Sequence, residues 1–274
     1  MAPTALFRDD VAYTEAERLI IDFVAARPAE FLVMSIQQLS ARLQISDATV
    51  SRFARHAGFR DFKELKAAVA ASTLGPAEKI QASIEAADSA HAYLGEQRDN
   101  LDRTMEALDE EAFARAADAL AAAGRVLIVG KGAARCCAEL LRFRLARFGK
   151  EAALLATGSE MAEGLVRADK GTVLVTFGFQ RIPAEVEVAL EHAQKVGATS
   201  VIFTARHLVG AGPQADVELV VYRGEPRGYH SMTSAVAVVD ALVVAVAGRM
   251  DGEALLRLDE LKALKRGYES RLPR

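Results

Sequence analysis

Residues Ser35–Val69 read SIQQLSARLQISDATVSRFARHAGFRDFKELKAAV, and the apolar spacing inside this stretch decides the architecture of the first part of the chain. Ser35 and Gln38 stand three apart, as in a capping box, and open a helix with Ile36, Leu39 and Leu43 on one face. Gln44-Ile45-Ser46 makes a tight turn. Ser46 caps the next helix, whose buried stripe is Val50, Phe53, Ala54 and Ala57. Gly58 ends that helix, and Asp61 with Glu64 caps another carrying Phe62, Leu65 and Val69. Upstream, Thr14 and Glu17 repeat the box for a helix through Leu19, Ile20, Phe23 and Val24, which Pro28 stops. Four short capped helices with no strand pattern predict an all-α unit over residues 1–75.

Ile36–His56 has the layout of a helix-turn-helix: a helix, a turn of about three residues, and a second helix with a polar outer face. Such a helix reads base edges from its N-terminal turns, which selects Asp47, Thr49, Ser51 and Arg52. Arg55, Arg60, Lys63 and Lys66 lie further along and suit phosphates. The whole chain holds 34 basic and 37 acidic residues in 274, a net charge of −3 that advertises no nucleic acid. Residues 42–66, however, hold six Lys/Arg and three Asp/Glu, against three and six in residues 1–41. The bland alternative is a helical bundle with a solvated charged face.

Outward from this unit, Gly75-Pro76 interrupts the pattern, and the polar stretch 76–103 reads as a linker helix. An Ala-rich helix at Glu111–Ala123 then leads into the apolar run Arg125–Gly130. Similar runs recur at Ala152–Ala156, Thr172–Phe177, Ser200–Thr204 and Val217–Tyr222, with helical patterns at Ala133–Phe148, Glu160–Val166 and Ala184–Val196. This alternation predicts an α/β domain over residues 104–250, with a five-stranded parallel sheet flanked by helices. Ser231–Gly248 reads as a mostly buried helix. An amphipathic helix at Glu253–Gly267 fills residues 251–274.

Hydrophobic residues make up 51% and charged residues 26%, the balance of a folded protein rather than a disordered one. The two cysteines, Cys136 and Cys137, are neighbours, so no disulfide framework or four-ligand zinc site is expected, and they read best as buried small hydrophobes. The five histidines never approach metal-ligand spacing, and no cofactor is expected. The opening MAPTALFRDDVAY has acidic residues where a signal peptide carries its apolar core, and the apolar run Ala235–Ala247 is too short to span a bilayer. The expectation is a cytoplasmic protein with no membrane partner.

In a parallel sheet, small ligands bind beyond the C-terminal strand ends, where helix N-termini offer free N–H groups. Gly130-Lys131-Gly132-Ala133-Ala134-Arg135 follows the first strand: its glycines admit an anion, and Lys131 or Arg135 can neutralise it. A dinucleotide fingerprint is not met, because Arg135 takes the third glycine position and no acidic residue ends the second strand.

Ser35–Val69 resembles the N-terminal domain of the RpiR/MurR family of bacterial transcriptional regulators, with its S-I-x-E-L-A, V-S-x-A-T-V-x-R-F and L-G-F-x-G-F-x-E-L-K pattern. Gln38, Ser40 and Asp61 depart from it. The resemblance places Ser46, Thr49, Ser51 and Arg52 on the DNA-facing positions. Residues 101–248 resemble the sugar isomerase (SIS) domain that accompanies this helix-turn-helix. The landmarks are V-G-K-G-A-A in the first loop, L-A-R-F-G at Leu145–Gly149, V-I-F-T at Val201–Thr204 and V-V-D-A-L at Val238–Leu242. SIS domains bind phosphosugars as isomerases or as sensors, so the resemblance implies a sugar phosphate or related anion as ligand.

The ligand motif departs from that pattern. Ala134 stands where the family has a serine, and S-x-S-G-x-T becomes Thr176-Phe177-Gly178-Phe179-Gln180-Arg181. Either Arg181 supplies a charged fork for an anion, beside Thr176, Gly178 and Gln180, or Phe179 fills a vestigial pocket. The expected protein is a non-enzymatic transcriptional regulator that binds double-stranded operator DNA and a small anionic metabolite as a homodimer or tetramer. Two alternatives stand beside it. One is a phosphosugar isomerase with Glu160, Glu163 or His230 as base; the other is a regulator whose SIS-like domain only dimerises.

Overall fold

The computed structural model describes residues 7, 12–73, 76–86, 89–179, 182–205, 214–225, 228–269 and 271. They group into two compact units, residues 1–94 with 224–230 and residues 95–223 with 231–274. The division falls at 94/95, where the sequence suggested boundaries at 75 and 103.

The first unit holds α1 (Glu15–Ala26), α2 (Pro28–Val33), α3 (Ile36–Leu43), α4 (Asp47–His56), α5 (Phe62–Thr73), α6 (Pro76–Ala86) and the first residues of α7 (Ala90–Ala107). Both expected capping boxes form, Thr14 with Glu17 and Ser35 with Gln38. Two expectations need correction. Pro28 does more than stop α1: it opens α2 from the first helical turn, where a missing N–H costs nothing. The stretch 76–103 is also not one helix. Ser89 starts α7 anew, its hydroxyl accepting the Ala92 N–H at 3.1 Å. Ile20, Val24, Phe31, Leu39, Val50, Phe53, Leu65 and Val69 form the core, each fully buried. Ala57, assigned to the buried stripe, is half-buried and closes α4.

The second unit continues with α8 (Glu110–Ala122), β1 (Arg125–Val129), a 3-10 turn at Gly132–Ala134, α9 (Arg135–Arg147), β2 (Glu151–Leu154), α10 (Glu160–Leu165) and β3 (Thr172–Phe177). After these come α11 (Ala184–Val196), β4 (Thr199–Thr204), β5 (Val217–Val220), α12 (Thr233–Gly248) and α13 (Glu253–Gly267). The sheet is entirely parallel, in the order β2-β1-β3-β4-β5. Its strands are near-continuous apolar runs because helices cover both faces. Val126, Ile128, Val173, Val175 and Val201 pack with α8, α9 and α12, while Leu127, Val129, Leu174 and Ile202 face α10 and α11.

The last helix differs from its expected amphipathic form. Of α13 only Ala254 is buried, and Leu255, Leu256 and Leu264 are 66%, 66% and 59% exposed. Ala254 and Leu258 pack on the core, but these three leucines are not absorbed by it. Among the described residues, no single helix is long and apolar enough to cross a membrane.

Candidate DNA and effector sites

The turn between α3 and α4 is built by its own polar residues. Gln44 closes α3 in the left-handed region at φ 55°, and the Ile45 N–H donates to the Ser40 carbonyl at 3.0 Å. The Ser46 hydroxyl accepts the Thr49 N–H at 3.1 Å and lies 2.8 Å from Thr49 Oγ1. Ser40 Oγ donates to Asp47 Oδ1, joining the two helices across the turn. Ser46, Asp47 and Thr49 therefore set the entry of α4 as well as standing at its tip.

Beyond that first turn the outer face opens. Arg52 and Arg55 are exposed and Ser51 is half-buried, while Val50, Phe53 and Ala54 fill the core behind them. Lys63 is exposed, and exposed Arg60 sits 3.6 Å from the Asp61 carboxylate. Lys66 is half-buried and donates to the Met34 carbonyl at 2.9 Å, which ties α5 to the end of α2. Behind α4, His56 Nδ1 lies 2.8 Å from Glu17 Oε1. Burial pushes the Glu17 carboxyl up, but hydrogen bonds from the Thr14 N–H, His56 and the Thr14 hydroxyl outweigh it and hold the carboxyl below its ordinary value.

In the second unit the strand order reverses between β1 and β3, so the crevice beyond their C-terminal ends is where a ligand belongs. Gly130 ends β1 in close contact with α9: a Cβ there would lie 2.6 Å from Ala138 Cβ. Gly132 turns the chain at φ 59°. These features make the first loop tight, yet its charges are already engaged. Lys131 Nζ donates to Glu185 Oε1, 2.6 Å away in the first turn of α11, and this bond holds the Glu185 carboxyl below its ordinary value. Arg135 is exposed and pairs with Glu139 at 3.2 Å, and Ala134 is buried.

The second loop offers less than its sequence suggests. Thr176 is fully buried, and its hydroxyl donates to the Val201 carbonyl at 3.4 Å. Gly178 donates to the Phe203 carbonyl, and a Cβ on it would lie 2.8 Å from Ile182 Cδ1. Phe179 is 7% exposed and joins Phe177 and Phe203 in a ring cluster, with centroids 6.4 and 4.6 Å apart in turn. Gln180 and Arg181 lie outside the described residues.

A different arginine stands here. The Arg223 guanidinium lies over the Phe179 ring at 4.2 Å, and its Nε donates to the Ser231 carbonyl at 2.9 Å. Sequence reading missed it because Arg223 follows β5 by three residues with no motif around it. The expectation of two buried cysteines holds for Cys137 and needs correction for Cys136: Cys136 is exposed, while burial pushes the Cys137 thiol up to about 12, far from a reactive thiolate. Glu160 and Glu163 are exposed on α10. His230 groups with the first unit, its Nδ1 3.5 Å from Lys79 Nζ.

Comparisons with known proteins agree with both halves of this description. Residues 8–74 match the helix-turn-helix domain of the rpiR family, and residues 119–245 match the SIS domain. An uncharacterized HTH-type transcriptional regulator of Caldanaerobacter subterraneus subsp. tengcongensis is 23% identical over 256 residues, covering 90% of this chain and 91% of the relative. Among solved structures, the Vibrio vulnificus NanR protein complexed with ManNAc-6P aligns over 97% of this chain and 98% of its own, with a TM-score of 0.60 and 20% identity. The sugar isomerase domain of an RpiR transcription factor from Sphaerobacter thermophilus aligns over 60% of this chain and 93% of its own, with a TM-score of 0.56 and 25% identity.

Proposed function

We propose, for a chain that carries an rpiR-family helix-turn-helix domain followed by a SIS domain and is thus a DNA-binding transcriptional regulator, that α4 enters the major groove and that the sheet domain senses a small anionic metabolite. The observation that carries the DNA half is the outer face of α4. Arg52 and Arg55 are exposed on a helix whose inner face is fully committed to the core. Ser46, Asp47, Thr49, Ser51 and Arg52 read bases, and Arg55, Arg60, Lys63 and Lys66 meet phosphates. Titrating the protein against its own upstream DNA between 50 and 200 mM salt tests this. A steep fall in affinity is expected, and a flat response would remove the reading.

The metabolite is a sugar phosphate or a related anion, bound beyond the strand ends at Gly130–Arg135 and at Thr176, Gly178, Gln180 and Arg181. Two things support that class. The SIS domain is a phosphosugar fold, and a structural neighbour is described in complex with ManNAc-6P. The protein acts as a sensor in the cytoplasm rather than as a catalyst: Glu160 and Glu163 face solvent and Thr176 spends its hydroxyl on the backbone. The exposed leucines of α13 support a homodimer or tetramer, which symmetric operator half-sites also require. Mass measurement by light scattering tests assembly, and a monomer at micromolar concentration would contradict it.

A further inference from the structure

The two loops expected to hold the anion present few free groups. Lys131 is paired with Glu185, Arg135 with Glu139, and Thr176 with a backbone carbonyl. Unassigned polar groups gather instead where the chain enters α12. Ser231 is 6% exposed, and its hydroxyl accepts the Thr233 N–H at 3.1 Å and lies 2.8 Å from the Thr233 hydroxyl. Ser234, one residue further, is 1% exposed, and its hydroxyl has no hydrogen-bond partner among the described residues.

A buried hydroxyl without a partner keeps its full desolvation penalty, so a structure that retains one has a use for it. Cα–Cβ bonds tilt toward a helix N-terminus, so the side chain of Ser234, the second residue of α12, leans toward the start of that helix. Met232, the N-cap of that 16-residue helix, makes no side-chain cap, and beyond the Thr233 N–H held by Ser231 the first N–H groups and positive dipole end favour an anion. Arg223 is fixed beside it by the bond from its Nε to Ser231 and by its stacking on Phe179. The stacking pre-orients the guanidinium plane, which lowers the entropic cost of a forked contact.

We propose that Arg223, with Ser231, Thr233 and Ser234 at the start of α12, forms a phosphate subsite that replaces the hydroxyl loop lost after β3. The subsite rests on the reading of the sheet domain as an anion sensor and says which residues take the charged group. Its ligand is a phosphate monoester of a small metabolite: the guanidinium fork and the hydroxyls match the several oxygens of a tetrahedral dianion. Phe179, under the guanidinium, keeps that group flat and dry.

Calorimetric titration of the full chain with inorganic phosphate and with glucose 6-phosphate, followed by thermal melts, tests the assignment. Arg223→Gln should weaken binding at least tenfold and Ser234→Ala several-fold, while Arg125→Gln, at the opposite end of β1, should change it less than twofold. Ser234→Ala should also leave the ligand-free melting temperature unchanged or raised, because it removes a hydroxyl satisfied only by ligand. Binding that survives Arg223→Gln, or that fails in Arg125→Gln instead, overturns the subsite and leaves the sensor reading standing. If the wild type binds neither compound, both fall together. Arg223→Lys keeps the charge without the fork, and should fold like the wild type while recovering only part of the affinity. Full recovery would show that charge alone suffices and would overturn the forked geometry.

Discussion

The tip of α4 and the crevice at the strand ends are both places where a helix N-terminus meets cationic side chains, but they dispose of their polar groups in opposite ways. At α4 the turn is satisfied by short side chains, Ser40, Ser46 and Thr49, which leaves the long cations Arg52 and Arg55 free to reach outward. At the strand ends the long cations are spent on the protein's own carboxylates, Lys131 on Glu185 and Arg135 on Glu139. The difference follows from what each surface must recognise. A recognition helix needs reach and forms its contacts as a rigid module. A ligand crevice needs groups of fixed position, and fixed groups are those with partners already.

That contrast can be broken most strongly through the core behind α4. Phe53 is fully buried against Phe7 and Tyr13, with ring centroids 5.5 and 6.1 Å away. Phe53→Ala should cost about 3–5 kcal/mol and abolish operator binding, while phosphate binding by the second unit persists. Loss of both activities would mean that the units do not behave separately. Denaturant unfolding followed by both assays decides the point.

A smaller effect is expected from the outer face. Arg52→Ala should weaken operator binding by about 1–3 kcal/mol and relax sequence preference, whereas Arg55→Ala should lower affinity evenly across sequences and reduce the salt slope by about one. Anisotropy titrations on cognate and scrambled duplexes separate the two roles. Equal effects of both variants on every duplex would erase the division between base and phosphate contacts.

Ser46 tests the turn itself. Removing the cap with Ser46→Ala should cost about 1 kcal/mol of stability, seen as a lower denaturation midpoint, with operator affinity reduced further if the hydroxyl also touches DNA. Beside it stands an acid-sensitive contact. The Glu17 carboxyl is held below its ordinary value of 4.5, so the stability it contributes is complete above that pH and is lost as pH falls through the lowered value. Glu17→Gln should flatten the acid limb of the stability profile as pH falls below 4.5, and a limb of unchanged steepness would show that other carboxylates carry it. At the strand ends, Lys131→Met should cost at most about 1 kcal/mol, since the ion pair it breaks is partly solvated. A larger loss would mean that the pair organises the crevice.

The same contrast explains what could be read in advance. The capping boxes at Thr14 and Ser35, the turn at Gln44 and the five strands were legible because each is written in residues close along the chain. The bounds of α13 were legible for the same reason, but the exposure of its leucines was not, since periodicity says which residues share a face and nothing of what covers it. The effector side resisted for a related cause. Phe179 follows β3 while Arg223 and Ser231 come from the connection between β5 and α12, and Lys131 meets Glu185 across 54 positions of chain. Pairings of this kind are set by the sheet order, which a motif search does not see.

One grouping described above bears on how the two halves can be taken apart. Residues 224–230 belong with the first unit, where the Tyr229 N–H donates to the Ser83 hydroxyl at 2.8 Å. The backbone thus passes between the units three times, after residues 94, 223 and 230, rather than once. A fragment ending at Leu94 would therefore be an incomplete reading head, missing a strip of its own surface. A single nick within 224–230 would divide the strip between two chain pieces while leaving each of the three passages bonded. Protease susceptibility of that short strip, with and without phosphate ester, becomes a direct gauge of how firmly the first unit holds it.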